Sequence, residues 1–230
     1  MKKIEIEIAK LKAKGVIETT PPSNDQFISN IFCRPKKDGS IRLILNLKKL
    51  NVEIEYHHFK METLHHAIQL MTPGCFMASI DLKDAYYTVP VQKGDRKYLR
   101  FFWKGQLFQF TCLPNGLAEA PRKFTKLLKA PFSKLRARGD VNSAYIDDSA
   151  LFGTSFDSCQ NNFVETATLL DELGFTVHPE KSCFMPSCIL VYLGFILNSI
   201  AMTVFLTPEK ALKITQQCNA LLRQETCTIR

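Results

Sequence analysis

The chain has 230 residues, 46% of them hydrophobic and 23% charged, a balance that supports a packed core and excludes a disordered or low-complexity protein. Thirty Lys and Arg against 22 Asp and Glu leave a formal net charge of +8, which favours polyanions as partners. The 8 cysteines include no CxxC pair, and no signal peptide is recognisable. A disulfide framework, structural zinc and secretion are therefore not expected, and the protein is placed inside the cell, in cytoplasm or nucleus.

Lys2 to Lys14 carries Ile4, Ile8 and Leu11 at helical spacing, and Gly15 follows where a left-handed residue ends a helix. Thr19 to Asp25, with Pro21 and Pro22, reads as a loop. Two strand-like runs, Phe27 to Arg34 and Ile41 to Leu47, flank Pro35-Lys36-Lys37-Asp38-Gly39-Ser40 and predict a basic hairpin. A short helix is predicted from Met61 to Met71, ending before Pro73-Gly74. Ala78, Ile80 and Leu82 then alternate with Ser79, Asp81 and Lys83, the period of a half-buried strand with Asp81 on its polar face. That strand is expected to continue through Tyr86 to Val91. Leu99 to Phe102 and Gln106 to Phe110 read as strands around Lys104-Gly105. A helix follows from near Pro121 to Gly139, with Phe124, Leu127, Leu128, Phe132 and Leu135 as its apolar face and a kink at Pro131. From Lys93 to Arg138 the only acids are Asp95 and Glu119, and Phe101, Phe102, Trp103 and Phe108 are interleaved with the bases. Such a stretch suits phosphate contact and base stacking.

Ser143 to Gly153 reads as two short apolar strands joined through Asp147-Asp148. Adjacent carboxylates repel, and each is harder to ionise beside the other, whereas a plain hairpin turn favours Asn-Gly or Asp-Gly. A divalent cation would remove the conflict, and Asp81 supplies a third carboxylate in a similar setting. Three carboxylates on adjacent strands suit two Mg²⁺ ions, which lower the pKa of an attacking hydroxyl and neutralise charge in phosphoryl transfer. Further on, a helix is predicted from Asp157 to Leu173 with Gly174 as its cap, then a strand from Phe175 to His178. Cys188 to Leu206 holds no charge and has about the length of a membrane span. Its aromatic and β-branched halves, Tyr192 to Leu197 and Ile200 to Phe205, flank Asn198-Ser199 and predict a hairpin instead. Thr207-Pro208 starts a last helix, running to the terminus, whose Ala211, Ile214, Cys218, Leu221 and Leu222 face has no visible partner.

Tyr145-Ile146-Asp147-Asp148, Asp81-Leu82-Lys83-Asp84-Ala85-Tyr86, Leu113-Pro114-Asn115-Gly116 and Tyr192-Leu193-Gly194-Phe195 stand in the order and approximate spacing of reverse transcriptase motifs. The chain resembles the fingers and palm of a retroelement RNA-directed DNA polymerase, a nucleotidyltransferase. Asn30-Ile31-Phe32, Pro35 to Gly39, Arg42 with Asn46-Leu47-Lys48, and His58-Phe59-Lys60-Met61-Glu62 resemble DIRS-type elements most, then gypsy-type retrotransposons. The resemblance implies an α+β right-hand fold with fingers over 1–74 and 101–139 and a palm over 75–100 and 140–206. The palm would carry a ferredoxin-like split β-α-β sheet, helices on one face and carboxylates on the other. The thumb would be largely missing, with only its start at 207–230.

The implied activity is template-directed addition of dNTPs to a primer 3′-hydroxyl, with RNA or DNA as template. Asp81, Asp147 and Asp148 would hold two Mg²⁺, with Mn²⁺ as a substitute, and Lys181 would protonate the leaving pyrophosphate. Lys36, Arg42, the amides near Asp84 and Ala85, and Asn115 would meet the nucleotide. Tyr86 would fill the space of a ribose 2′-hydroxyl, and Tyr192-Leu193-Gly194 would grip the primer end. Asn115 departs from the pattern, since gypsy-type and DIRS-type elements usually have Phe there and retroviral enzymes Gln. RNase H and recombinase or integrase domains are expected elsewhere in a polyprotein, and no membrane partner is expected. The alternative is a catalytically inactive nucleic-acid-binding remnant. A two-metal nuclease would leave Tyr86 and Arg42 without a role.

Overall fold

The computed structural model describes residues 2–35 and 39–224. In chain order the elements are α1 (Lys2–Ala13), β1 (Ile17–Thr19), β2 (Ile31–Pro35), β3 (Ile41–Leu45), α2 (Lys48–Glu53), α3 (Leu64–Leu70), β4 (Phe76–Asp81), β5 (Arg100–Trp103), β6 (Gln106–Phe110) and α4 (Ala120–Ala137). There follow β7 (Val141–Tyr145), β8 (Asp148–Gly153), α5 (Phe156–Glu172), β9 (Cys183–Ser187), β10 (Ile189–Tyr192), β11 (Phe195–Asn198), β12 (Thr203–Leu206) and α6 (Pro208–Leu222). Two compact units emerge. The first is drawn from residues up to Lys60, Lys83–Ala130 and Gly174–Thr176, the second from Met61–Leu82, Pro131–Leu173 and Val177 onward.

In the first unit a three-stranded antiparallel sheet of order β1-β6-β5 packs with α1 and the β2-β3 hairpin. Ile8 and Leu11 of α1 meet Leu43, Leu45, Phe101, Phe108 and Phe110 in one buried cluster. Gly15 adopts φ +70, which reverses the chain into β1. That strand, only Ile17-Glu18-Thr19, has too little periodicity to be read locally and exists because β6 pairs with it. α2 is likewise absent from the sequence expectation. Phe27 to Asn30 forms no ladder and gives only a bridge between Ile28 and Arg100. The buried guanidinium of Arg100 donates to Gln109, Ser23, Gln26 and Thr20, so the proline-containing loop is ordered around one cation.

The strand bearing Asp81 does not continue to Val91. Asp84 turns into the left-handed region, φ 53, and Ala85–Thr88 closes a 3-10 turn. In α4, Phe124, Leu128, Phe132 and Leu135 are buried as expected, whereas Leu127 is exposed. Pro131 lies inside the helix, at the division between the two units.

The second unit is built on an antiparallel sheet of order β7-β8-β4-β9. The chain order β4, α4, β7, β8, α5, β9 gives this sheet the ferredoxin-like β-α-β-β-α-β connection. α5 starts at Ser155, whose hydroxyl accepts from the Ser158 amide at 3.1 Å. The helix lies so close to β8 that a Cβ on Gly153 would be 2.3 Å from the Cys159 nitrogen. On the other face Met77, Ala150 and Phe152 pack with Ala67, Met71 and the meander residues Leu190, Tyr192 and Leu197. Asp81 and Asp148 belong to this second face, at its end. The carboxylate side is therefore opposite α5, but α3 and the meander cover the rest of it.

Two strand expectations change here. Tyr192 to Leu197 is broken by Leu193 (φ 50) and Gly194 (φ 76), so the expected hairpin is a three-stranded meander, β10-β11-β12. Phe175 to His178 forms no strand and contributes one bridge, Val177 to Leu82. α6 ends at Leu222 and has no buried residue. Among the described residues no helix is long and apolar enough to cross a membrane.

Candidate active site

Asp81 is the last residue of β4 and Asp148 the first of β8, and the two are direct cross-strand partners. Because α5 covers one face of the sheet and α3 with the meander the other, the alternation along β4 does not leave a wet face. Met77, Ala78 and Ile80 are fully buried and Asp81 is only 9% exposed, a correction to the half-buried strand expected. The hairpin turn is Ile146-Asp147, not the Asp-Asp pair itself, since Tyr145 already pairs with Asp148. Ile146 sits at φ 53, where a β-branched residue is strained by roughly 1–3 kcal/mol.

The backbone around the three carboxylates is tied down. The Asp147 carbonyl accepts from the Leu82 amide at 2.8 Å, and the Asp81 carbonyl from the His178 amide at 2.7 Å. The Asp81 amide donates to Ser182 Oγ at 3.0 Å. Lys181 Nζ lies 3.4 Å from Asp81 Oδ1, with the lysine largely exposed. Burial first, then the charges of Asp147 and Asp81, push the Asp148 carboxyl up to about 7, against the opposing effect of Lys181.

Among the described residues no three His, Cys, Asp or Glu side chains are arranged to enclose an ion. Mg²⁺ needs no such cage, because it keeps several waters and takes one or two carboxylates together with substrate phosphates. An all-oxygen donor set whose members repel one another fits that kind of ion.

The same unit holds the Tyr192-Leu193-Gly194 turn. Tyr192 is buried, its hydroxyl donates to the Ser143 carbonyl at 3.3 Å, and burial, then the charge of Asp148, raises its phenol. Lys210 stacks over the Phe195 ring at 3.7 Å and lies against Gly194.

In the first unit the 3-10 turn presents Asp84, Ala85 and Tyr86 in succession. Asp84 is ion-paired with Lys14. The Tyr86 ring stands edge-on to Phe124, with centroids 5.6 Å apart. Asn115 Nδ2 donates to the Tyr87 hydroxyl at 3.0 Å, and burial pushes that phenol up to about 12. The Asn115-Gly116 turn is held by Asn51, which donates to the Gly116 carbonyl and accepts from the Ala118 amide, both at 2.9 Å. Arg42 is exposed on β3, directly opposite Arg34; like charges facing each other across a hairpin favour an anionic ligand between them. Lys36 lies outside the described residues. Tyr87, Asn51 and Arg34 were not singled out by motif. Only the Tyr86-Tyr87 repeat and the basic composition of the hairpin hinted at two of them, and nothing local marks Asn51.

This fold is that of the fingers and palm of a right-hand polymerase, with an acidic cluster at the end of the palm sheet. Residues 34–197 match the family described as reverse transcriptase (RNA-dependent DNA polymerase). The match takes in more than half of the chain, and the chain belongs to that family. It is 23% identical over 190 residues to the retrovirus-related Pol polyprotein from transposon 412 of Drosophila melanogaster, covering 80% of this chain and 15% of the relative. With the Gag-Pro-Pol polyprotein of simian retrovirus SRV-2 it shares 27% identity over 202 residues, 84% of this chain and 11% of that one. The chain thus spans a small part of each relative.

Among solved structures it resembles a foamy viral protease-reverse transcriptase in complex with double-stranded DNA, with a TM-score of 0.78 at 22% identity over 99% of this chain and 37% of the other. A foamy viral protease-reverse transcriptase in complex with an RNA/DNA hybrid gives 0.73 at 22% identity over 96% and 30%. These likenesses show the fold.

Proposed function

We propose that the chain is the fingers and palm of a retroelement RNA-directed DNA polymerase that extends a primer with dNTPs on an RNA or DNA template. The observation that carries the reading is the pairing of Asp81 with Asp148 beside Asp147, with the Asp148 carboxyl pushed up to about 7 by burial and then by the charges of Asp147 and Asp81. Asp81 and Asp147 would hold Mg²⁺, or Mn²⁺ in its place, with Asp148 orienting one ion, and the ions would supply a more acidic primer hydroxyl and charge neutralisation at phosphate. The 3′-oxygen forms its bond to the α-phosphorus as the bond to pyrophosphate breaks, and Lys181 would return a proton to that leaving group.

Arg42 and Lys36 grip the triphosphate, and the amides of Asp84 and Ala85 donate to it. Tyr86, stiffened by Phe124, excludes a 2′-hydroxyl. Asn115 is already engaged with Tyr87, so its contribution to the nucleotide is made through that tyrosine. Tyr192, Leu193 and Gly194 hold the primer end. The division into fingers (1–74, 101–139), palm (75–100, 140–206) and the start of a thumb (207–230) belongs to the same proposal, as do RNase H and integrase or recombinase domains in a polyprotein.

Primer extension on an RNA template with Mg²⁺ tests the reading. Extension by the unaltered chain, none by Asp147→Asn, and incorporation of rNTPs only by Tyr86→Ala are expected. Equal extension by Asp147→Asn would refute it, and duplex binding without extension would favour a binding remnant.

A further inference from the structure

We propose that the Glu62–Arg136 ion pair is the positioning device for the catalytic hairpin, standing in for the neighbouring strand that β7 lacks. The proposal rests on the polymerase reading for its link to catalysis. Among the described residues β7 is an edge strand with β8 on one side only. On its open side the Ala144 amide donates to Glu62 Oε2 at 2.7 Å, and Arg136 Nη2 donates to the Asn142 carbonyl at 3.3 Å. Arg136 Nη2 also meets Glu62 Oε1 at 2.6 Å, and Arg136 Nε donates to Asn142 Oδ1 at 2.8 Å. A residue of a parallel neighbour would do the same work, giving its N–H to one carbonyl and taking the N–H two residues further on. The two side chains thus complete the ladder of a strand without a strand.

The clamp sits at the place that matters. Ala144 is one position before Tyr145, the cross-strand partner of Asp148, and the turn Ile146-Asp147 follows. A slip of one residue in β7 would exchange its two faces and re-aim the turn. Ile146 holds a left-handed φ of 53, and such a conformation persists only where the surroundings over-determine it. Asn142 and Ser143 are buried and Ala144 is half-buried, so water is a poorer partner for this edge than the two side chains. His66 adds a contact to Ser143 Oγ at 3.0 Å, and Tyr192 one to the Ser143 carbonyl at 3.3 Å, but neither takes the Ala144 amide. Losing Glu62 removes the partner of that amide and the counter-charge of Arg136 together, leaving Arg136 bonded to Asn142 alone.

The test pairs amide hydrogen exchange on the free protein with steady-state primer extension. In Glu62→Ala, exchange from Ala144 to Ser149 should speed up about tenfold or more. Its kcat should fall about 10- to 100-fold, while the dNTP KM moves less than about threefold. Glu62→Gln keeps an acceptor for the Ala144 amide but loses the ion pair and turns its Nε2 toward Arg136, so it should restore only part of both. Arg136→Lys cannot span Asn142 and Glu62 together and should loosen the same segment if Glu62→Ala does not fold. Glu165→Ala, at a surface pair with Arg138, should change neither readout. Unchanged exchange in the hairpin of folded variants, loosening spread evenly over the sheet, or a KM effect without a kcat effect would each overturn the clamp. If the unaltered chain extends no primer, the polymerase reading fails while the exchange result still decides the clamp.

Discussion

Asp148 is the residue at which the fold works against itself. Its folded pKa of about 7 lies above the ordinary carboxylate value of 3.8, so between those values the folded state binds more protons than the unfolded one. Stability from this group is fully present below about pH 4 and is lost as pH rises through 7. Asp148→Asn should therefore make the ion-free protein more stable at pH 8, by on the order of 1–2 kcal/mol after discounting for partial solvent screening, with the gain shrinking toward pH 5. Urea unfolding at both pH values checks this, and a gain that does not depend on pH would contradict it. Gly116 shows a different constraint. At φ +104, with the Leu45 carbonyl 2.8 Å from where a Cβ would stand, Gly116→Ala should cost about 2 kcal/mol or more. A loss below about 0.5 kcal/mol in the same assay would show that the turn relaxes freely. The acidic residues could be read in advance because an Asp-Asp pair near a third carboxylate conflicts with ordinary turn chemistry. Gly116 stood in a legible motif, but the approach of the Leu45 carbonyl was not legible, because that contact joins segments far apart in the chain.

At the scale of elements, end signals and tertiary pairing contribute differently. α1 and α5 were readable at their C-terminal ends, since Gly15 and Gly174 act on their own neighbourhoods, whereas the Ser155 cap of α5 came from the structure. β1, α2 and β9 were not, for each is too short to bury a face alone and is held by partners distant in sequence. α4 carries a local conflict within a regular element. Pro131 lacks the amide that would bond to the Leu127 carbonyl, yet the helix runs through it. Pro131→Ala should raise stability by about 1–2 kcal/mol, the restored hydrogen bond and relieved clash outweighing the smaller buried side chain. Thermal unfolding with no rise in midpoint would indicate that the packing of the ring dominates.

Across the whole molecule the net charge of +8 is the property most directly tied to a polyanionic partner. Affinity for an RNA/DNA duplex should fall log-linearly with salt, by at least about tenfold between roughly 50 and 200 mM. Filter binding or anisotropy would measure it, and a salt-independent affinity would argue against backbone contact by the basic surface. The amino-acid sequence by itself determined the identity of the acidic residues, the motif order, the charge and the ends of the longer helices, because these depend on residues near one another in the chain. Only the tertiary structure decided that β4 is central and Asp81 buried, that the chain turns at Asp84, that Tyr192 begins one turn of a meander, and that Glu62 and Arg136 meet across the open edge of β7. Each of these depends on contacts between segments far apart in sequence, where the favourable pairing must offset the entropy of closing long loops and no local pattern records the outcome.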